Sequence, residues 1–151
     1  MAKKEAKAVL KILRRMLKLI PDRTCWTQCA PARSKKGKLL DYEDKRAVRF
    51  SLRGAWEKGA DWYEIEDQIF EEDREQGVEE LIPMLALREL CMTTLSFQHR
   101  GFYQFRRTPY TRPNVLSEFN DVAGRTHKQV LAVIEETIDR IERVGLRKPE
   151  D

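Results

Sequence analysis

Cysteine and histidine are scarce in this sequence. Its 151 residues include three cysteines and two histidines, His99 and His127. Cys25 and Cys29 stand close together and Cys91 is remote, so no set of four ligands has the spacing of a structural zinc site. An odd number of cysteines does not fit a disulfide framework either. We therefore predict reduced thiols, no metal and no cofactor.

Long apolar runs are also missing. No stretch of about 18 apolar residues occurs, so the sequence predicts no transmembrane segment. The chain begins Met-Ala-Lys-Lys, but Lys7, Lys11 and Arg14 interrupt the apolar residues that follow. This interruption leaves no apolar core for a cleavable signal peptide. A cytoplasmic location is the resulting expectation.

The formal charge of +4 conceals two opposed blocks. Residues 1–40 hold twelve Lys or Arg against two acids, whereas residues 64–80 hold nine acids against one base. Such blocks are typical of solvated faces, and they can also pair with each other inside a fold. The acidic block lacks the ligand spacing of a cation-binding loop. A net charge this small allows nucleic-acid binding without requiring it.

Hydrophobic periodicity predicts a mainly α fold. Apolar residues recur at three- and four-residue steps over residues 3–20, which indicates an amphipathic helix with basic residues on its other face. Such a helix can lie on an anionic membrane, but packing against the protein core is the favoured interpretation. The same reasoning predicts further helices over residues 41–59, 61–76, 78–98 and 126–144.

Local signals set the predicted helix ends. Asp41 would cap the second helix and Gly59 would end it. Gly54 falls inside that helix, where glycine costs up to about 1 kcal/mol, so we expect another backbone to pack closely against it. The third and fourth helices are separated near Gly77. Pro83 either kinks the fourth helix or lies in its first turn, and the sequence leaves this open.

The segment between the first two predicted helices lacks helical periodicity. Residues 24–40 are predicted to form a short β-hairpin or an ordered loop around a Lys-Gly turn, with Trp26 buried as its anchor. The expected architecture is therefore a compact bundle of about five helices with this small β element. Its length fits a single domain, residues 1–151.

The best-defined local feature is the turn before the last helix. Thr126 and Gln129 have the spacing of a capping box, and Gly124 permits a positive φ. Free amides at this helix start, beside Arg125 and His127, suit an anion such as a phosphate or a carboxylate. Asp121 can instead occupy those amides or pair with Arg125, which would make the cluster a structural lock, and this is the favoured interpretation. The candidate ligand-binding residues are Asn120, Asp121, Arg125, Thr126 and His127, with Trp26 as a wall.

Two stretches have features of nucleic-acid binding. The turn near Gly37 is rich in basic residues, and residues 97–113 interleave five aromatics with four arginines and no acid. The alternatives are an exposed turn that its charge keeps hydrated, and a surface loop that its aromatic side chains pin to the core. The candidate nucleic-acid-binding residues are Arg33, Lys35, Lys36, Lys38, Arg100, Phe102, Tyr103, Arg106, Arg107 and Arg112.

Three segments carry a family resemblance: Trp26–Arg33, Arg46–Ala55 and Glu118–Thr126. They resemble the signature segments of an uncharacterised family of bacterial and phage proteins, a domain of unknown function marked by Phe-Asn-Asp and Gly-Arg-Thr. The resemblance covers residues 1–59 and 118–144. It implies a small helical domain, borne by a phage or mobile element in a bacterial host cell, with a family-variable insertion over residues 60–117.

The sequence departs from that family pattern at three positions. Cys29 stands where glycine is usual, Ser51 where cysteine is frequent, and Arg53 where an apolar residue is usual. These departures weaken any cysteine-based chemistry carried over from relatives. The resemblance implies no reaction.

The leading functional hypothesis is a small cytoplasmic α-helical binding or regulatory protein. It would act by contacts with a protein or nucleic-acid partner, and it is free to form homo-oligomers. The opposed charge blocks and the basic-aromatic stretch motivate this hypothesis. The alternative is a small-ligand-binding or enzymatic domain with its anion site at the start of the last helix. That cluster contains an acid, an amide and a base but no recognisable pair of nucleophile and base.

Overall fold

The computed structural model describes residues 2–66, 78–98 and 113–148. Within these ranges the chain forms five α-helices and one small sheet, so the predicted mainly α fold is confirmed. A single 3-10 turn, Arg23–Cys25, precedes the strands. The elements are α1 Ala2–Leu19, β1 Ala32–Arg33, β2 Leu39–Leu40, β3 Arg49–Phe50, α2 Leu52–Glu66, α3 Val78–Gln98, α4 Pro113–Asp121 and α5 His127–Val144.

One hydrophobic core joins all five helices. The stripe of α1 contributes Val9, Ile12, Leu13 and Met16, which are fully buried. Basic residues on the other face are exposed, namely Lys7, Lys11, Arg14 and Lys18, whereas Arg15 is buried. The apolar side of α1 therefore packs against the protein core, as predicted, because its apolar residues fall on one side of the helix. The same core receives buried residues from α2, α3, α4 and α5.

The three strands form an antiparallel sheet in the order β2-β1-β3. Ala32 lies opposite Leu40 on one side and Phe50 on the other, and all three residues are buried. Their neighbours Arg33, Leu39 and Arg49 are paired in the same way. Because successive side chains alternate between the faces of a strand, this second row lies on the outer face of the sheet.

The predicted start of the second helix at Asp41 is wrong. That helix, α2, begins at Leu52 because residues 41–50 form turns and the strand β3, which pairs with β1. Ser51 stands immediately before the helix, and its Oγ accepts a hydrogen bond from the Gly54 amide at 3.1 Å. A serine in this position satisfies a free amide of the first turn, and it therefore replaces the aspartate as the cap.

Gly59 does not end α2, which continues through Asp61 to Glu66. A Cβ at Gly59 would stand 3.2 Å from the Ile12 carbonyl oxygen, so this glycine allows α1 to pass close to α2. The predicted start of a separate helix at Asp61 is therefore wrong. The remainder of that predicted helix and the break near Gly77 lie outside the described residues.

Pro83 lies inside α3 rather than in its first turn, which answers the alternative that the sequence left open. Its carbonyl oxygen accepts a hydrogen bond from Trp56 Nε1 of α2 at 3.0 Å. Proline donates no backbone hydrogen bond, so the helix loses one intrahelical contact at this position. The contact with Trp56 ties this part of α3 to α2.

Gly54 allows α2 to lie close to the main chain just before β1. A Cβ at this position would stand 1.9 Å from the Pro31 carbonyl oxygen, so the predicted close approach of another backbone is confirmed. Gly54→Ala is expected to destabilise the fold by about 1–3 kcal/mol, although alanine favours a helix, because the main chain itself must move. Urea unfolding measures this loss.

Gly59→Ala is the matched comparison, because it adds the same methyl group to the same helix at a less crowded position. Its loss of stability is expected to be smaller than that of Gly54→Ala. An equal loss in both variants, or a stabilised Gly54→Ala protein, would contradict the packing at Pro31.

Candidate functional site

A buried asparagine connects the distant parts of the chain. Asn120 is fully buried at the end of α4. Its Oδ1 accepts hydrogen bonds from Trp26 Nε1 at 2.7 Å and from the Leu52 amide at 3.0 Å. Its Nδ2 donates to the Thr27 carbonyl at 3.0 Å and to Asp121 Oδ1 at 2.8 Å. Both acceptor sites and both donors of this amide are therefore used.

Gln28 and Asp121 extend these contacts. The Gln28 amide donates to the carbonyl oxygens of Asn120 at 2.8 Å and Val122 at 3.2 Å. Carbonyls at a helix end lack intrahelical donors, so Gln28 satisfies the end of α4 from another segment. The Asp121 Oδ1 atom also accepts from the Cys29 amide at 2.8 Å. Cys29 has a φ of 60°, in the left-handed region, and this bond helps to hold it there.

The turn before α5 has the predicted capping geometry. Thr126 Oγ1 accepts from the Gln129 amide at 3.2 Å, and Gln129 Oε1 accepts from the Thr126 amide at 2.9 Å. The predicted capping box is confirmed. Gly124 has a φ of 84°, as its position predicted, and the Arg125 amide donates to the Val122 carbonyl at 3.0 Å. The start of α5 is therefore fixed by its own sequence.

Arg125 and His127 direct their polar atoms to the protein main chain. Arg125 Nε donates to the Phe119 carbonyl at 2.8 Å, and its guanidinium carbon lies 3.8 Å from the centre of the Phe119 ring. Burial lowers the pKa of Arg125. His127 Nε2 is hydrogen-bonded to the Ile20 carbonyl at 2.8 Å, and its ring lies 6.2 Å from that of Trp26. These contacts favour the structural lock over an anion site.

Of the candidate nucleic-acid-binding residues, the structure describes those at the β1–β2 turn and not those between residues 99 and 112. Arg33 is partly exposed, and its donors are used within the protein: Nε donates to Thr27 Oγ1 at 2.9 Å, and the two terminal nitrogens donate to the Gly37 and Gln28 carbonyls at 3.0 and 3.3 Å. The three lysines of the turn are exposed. Arg100, Phe102, Tyr103, Arg106, Arg107 and Arg112 lie outside the described residues, and their role stays a prediction.

An open cavity of about 550 Å³ lies beside Cys29 and Asp121, which are both part of its lining. Four carboxylates and one guanidinium line it, together with a thiol, two serines and a tyrosine. The sequence did not reveal this cavity, because its residues come from separate segments and form no local motif. The ionisable side chains, apart from the thiol and Tyr42, are Asp41, Glu43, Arg53, Glu57 and Asp121.

The charged side chains of the cavity are partly paired. Arg53 Nε donates to Glu57 Oε1 at 2.8 Å, and its NH1 donates to Asn114 Oδ1 at 2.9 Å. Tyr42 donates to Glu43 Oε1 at 3.0 Å. Burial is the main cause of a raised pKa at Tyr42, and the hydrogen bond to Glu43 adds to it. The lining therefore keeps an excess of negative charge after the one arginine is paired.

The three segments that carry the family resemblance meet at this cavity. The first supplies Cys29 and Pro31, the second Ser51 and Arg53, and the third Asp121. The Asn120 contacts hold the same three segments together, because its side chain bonds to each of them. The cavity and the asparagine are thus parts of one arrangement.

Metal and membrane features can be assessed within the described ranges. No cluster of three or more histidine, cysteine, aspartate or glutamate residues there could hold a metal ion. In the same part of the chain, no helix combines the length and the apolarity that crossing a membrane requires.

The cysteines are expected to differ in reactivity. Cys29 is exposed, whereas Cys91 is buried in the core, and burial raises its pKa to about 12. Cys29 should react fast because it is accessible, whereas Cys91, which is buried and resists ionisation, should react only when the protein unfolds. Thiol counting with a chromogenic disulfide at about pH 8 measures this difference, in a Cys25→Ser background that leaves two thiols. Rapid reaction of both thiols in the folded protein would contradict the burial of Cys91.

The fold and the site define a small, mainly α domain with a buried asparagine that joins three segments beside a carboxylate-lined cavity. The chain belongs to the family described as "Family of unknown function (DUF6197)", whose model matches residues 4–140. No curated protein and no solved structure gives a match. The predicted family-variable insertion over residues 60–117 stays a prediction.

Proposed function

We propose that this chain is a small binding protein whose ligand site is the cavity beside Asp121. The observation that carries the proposal is the meeting of three distant segments at that cavity, with Cys29, Ser51 and Asp121 as one residue from each. A concave surface built by separate segments is the usual form of a small-molecule site.

The lining favours a small cation with ammonium or guanidinium groups. Four carboxylates face one arginine, and Arg53 is already paired with Glu57. Asp121 receives both of its hydrogen bonds on Oδ1, and Oδ2 receives none from the part of the chain that the structure describes. Charged N–H donors form the strongest hydrogen bonds to carboxylates, so such a ligand would complete this lining.

The chemistry of the cavity supports binding rather than catalysis. Ser51 Oγ accepts from the Gly54 amide and donates to the Pro31 carbonyl at 3.4 Å, so its hydroxyl takes part in the helix cap. Within the described chain, no histidine lines the cavity beside Cys29 or Ser51. A serine or cysteine nucleophile needs such a base or another means of activation.

Protection of Cys29 from alkylation tests the site. In Cys25→Ser protein, agmatine, which carries a guanidinium and an ammonium group, should slow the reaction of Cys29 with a maleimide, whereas malonate should not. Asp41→Asn should weaken the protection by about tenfold, equivalent to about 1.4 kcal/mol. Glu135→Gln is the control, because it removes the same charge at an exposed position of α5.

Two results would overturn the proposal. One is the absence of protection by agmatine at any concentration that leaves the protein folded. The other is equal weakening in Asp41→Asn and Glu135→Gln, which would show that only overall charge matters. Melting curves of both variants establish that each is folded.

We keep the contact with a nucleic-acid or protein partner as a second candidate function, favoured by the exposed lysines of the β1–β2 turn. The phage or mobile-element origin, the bacterial cytoplasmic location and homo-oligomer formation belong to the same proposal. The resemblance of the three segments supports the origin, and the basic residues that interrupt the first apolar stretch support the location.

A further inference from the structure

The outer face of the small sheet is basic. Arg33 lies between Leu39 and Arg49 in the strand register, and the opposite face is buried against the core. Leu39 is 61% exposed, and Arg33 and Arg49 are partly exposed. The turn that joins β1 to β2 adds Lys35, Lys36 and Lys38, all exposed. We call Arg33, Lys35, Lys36, Lys38 and Arg49 together the basic hairpin surface.

Hydrogen bonds hold the turn in one shape. The Gly37 amide donates to the Ser34 carbonyl at 2.9 Å, and the Lys38 amide donates to Ser34 Oγ at 3.1 Å. Gly37 has a φ of 87°, which a glycine accommodates without strain. Arg33 and Arg49 brace the turn by donating to the Gly37 and Lys35 carbonyls at 3.0 and 3.4 Å. The lysines are therefore presented from an ordered turn.

Asp44, which is close enough to Lys38 for the two charges to interact, is already paired. Asp44 accepts from the Arg46 amide at 2.8 Å and from the Arg46 side chain at 3.1 and 2.9 Å. These bonds to Arg46 hold the pKa of Asp44 at about 2, and Lys38 makes a small contribution. Arg46 thus balances the charge of Asp44. The basic row of α1 is different, because there Arg14 forms an ion pair with Glu142 of α5.

We propose that the basic hairpin surface binds the phosphate backbone of a nucleic acid. This inference rests on the second candidate function, contact with a nucleic acid, and is independent of the cavity. A cluster of exposed cations on an ordered turn complements a polyanion, and lysines contact phosphates without reading bases. Arg33 spends three of its donors inside the protein, so Lys35, Lys36, Lys38 and Arg49 make the contacts.

Binding of the full-length protein to fluorescent mixed-sequence DNA, duplex and single-stranded, tests the proposal. The triple variant Lys35→Gln/Lys36→Gln/Lys38→Gln removes three cations from the turn. If each contacts a phosphate, the slope of log K against log salt should fall by about 2 to 3 for duplex DNA. Affinity at low salt should fall by about tenfold or more. The matched control Lys3→Gln/Lys7→Gln/Lys18→Gln removes the same charge from the exposed face of α1.

The outcomes separate this inference from the function on which it rests. If the natural protein binds neither form of DNA nor RNA at low salt, the second candidate function and this inference both fail. If it binds, and the turn variant binds as well as the natural protein or loses no more than the α1 control, only this inference fails. Circular dichroism and melting curves establish that both triple variants are folded.

A membrane surface is the competing polyanion. Flotation with vesicles of phosphatidylserine and phosphatidylcholine, in the same salt series, distinguishes it. We expect the turn variant to lose binding to nucleic acid. Binding to these vesicles that depends on the turn lysines, without binding to nucleic acid, would overturn the proposal. Arg49→Gln provides a second variant outside the turn, and it should weaken nucleic-acid binding in the same direction.

Discussion

Asn120→Leu is expected to destabilise the protein by about 3–5 kcal/mol, because each buried polar group left without a partner costs about 1–3 kcal/mol. The substitution would remove an amide that is fully buried and uses all four of its hydrogen-bonding positions. The groups left without partners are the Leu52 amide, the Trp26 indole N–H and the Thr27 carbonyl.

Urea unfolding followed by tryptophan fluorescence measures this effect. Glu118→Gln is the control, because Glu118 lies on the same helix and is exposed, and it should change stability by less than about 0.5 kcal/mol. Asn120→Asp adds a second comparison. The new carboxyl keeps an acceptor for Trp26 and Leu52, but its other oxygen faces the Thr27 carbonyl and the Asp121 carboxylate.

That second comparison has a defined pH dependence. The facing oxygens disfavour the ionised form of the introduced carboxyl, so its pKa in the folded state should lie above its unfolded value. The variant should therefore lose stability as the pH rises from the unfolded-state pKa to the folded-state pKa, and regain it as the pH falls.

A loss of less than about 1 kcal/mol in Asn120→Leu would contradict the four-bond arrangement.

Glu89→Ala is the second large effect, with an expected loss of about 3–5 kcal/mol. Glu89 is 2% exposed in α3. Its Oε1 accepts from the Arg147 amide at 2.7 Å, and its Oε2 accepts from the side chains of Arg147 and, at 3.3 Å, Arg140. Removing the carboxylate leaves the Arg147 guanidinium without its counter-charge in a site where burial already lowers its pKa.

Chemical unfolding and hydrogen exchange check this result together. Residues 145–148, which follow α5, should exchange faster in Glu89→Ala, because Glu89 holds the Arg147 amide itself. Glu135→Ala, at an exposed position of α5, is the control and should leave both measurements nearly unchanged. A Glu89→Ala protein as stable as the control would show that the ion pairs contribute little net stability.

The sequence predicted the elements whose signals are local. The periodic apolar stripe of α1 and the capping box of α5 lie within single helices, and both are found as expected. The close approach at Gly54 was also predicted, because an interior glycine weakens a helix and calls for a packing reason. In these cases the information lies within a few residues of the feature.

The errors arose where distant contacts compete with local signals. Asp41 has the sequence context of a helix cap, but the pairing of Arg49 and Phe50 with β1 takes the chain into a strand instead. Ser51 then caps the helix. Local propensity is a weak guide wherever tertiary pairing satisfies the same backbone groups. The third strand was missed for this reason.

The favoured lock had Asp121 on the amides of the last helix or paired with Arg125. Asp121 instead accepts from the Cys29 and Asn120 amides, and Arg125 donates to the Phe119 carbonyl. The cavity was not foreseen, because Asp41, Glu57 and Asp121 are far apart in sequence and their meeting depends on the fold. Only the family resemblance linked these segments beforehand, and it did so without indicating a shared surface.

The central claim is that Asn120 joins segments separated by more than ninety residues, and a double-mutant cycle with Trp26 tests it directly. Trp26→Phe removes the indole donor, and Asn120→Ala removes the acceptor. Unfolding free energies of the two single variants and the double variant should give a coupling of about 1–2 kcal/mol. Additivity within about 0.3–0.5 kcal/mol would contradict the claim.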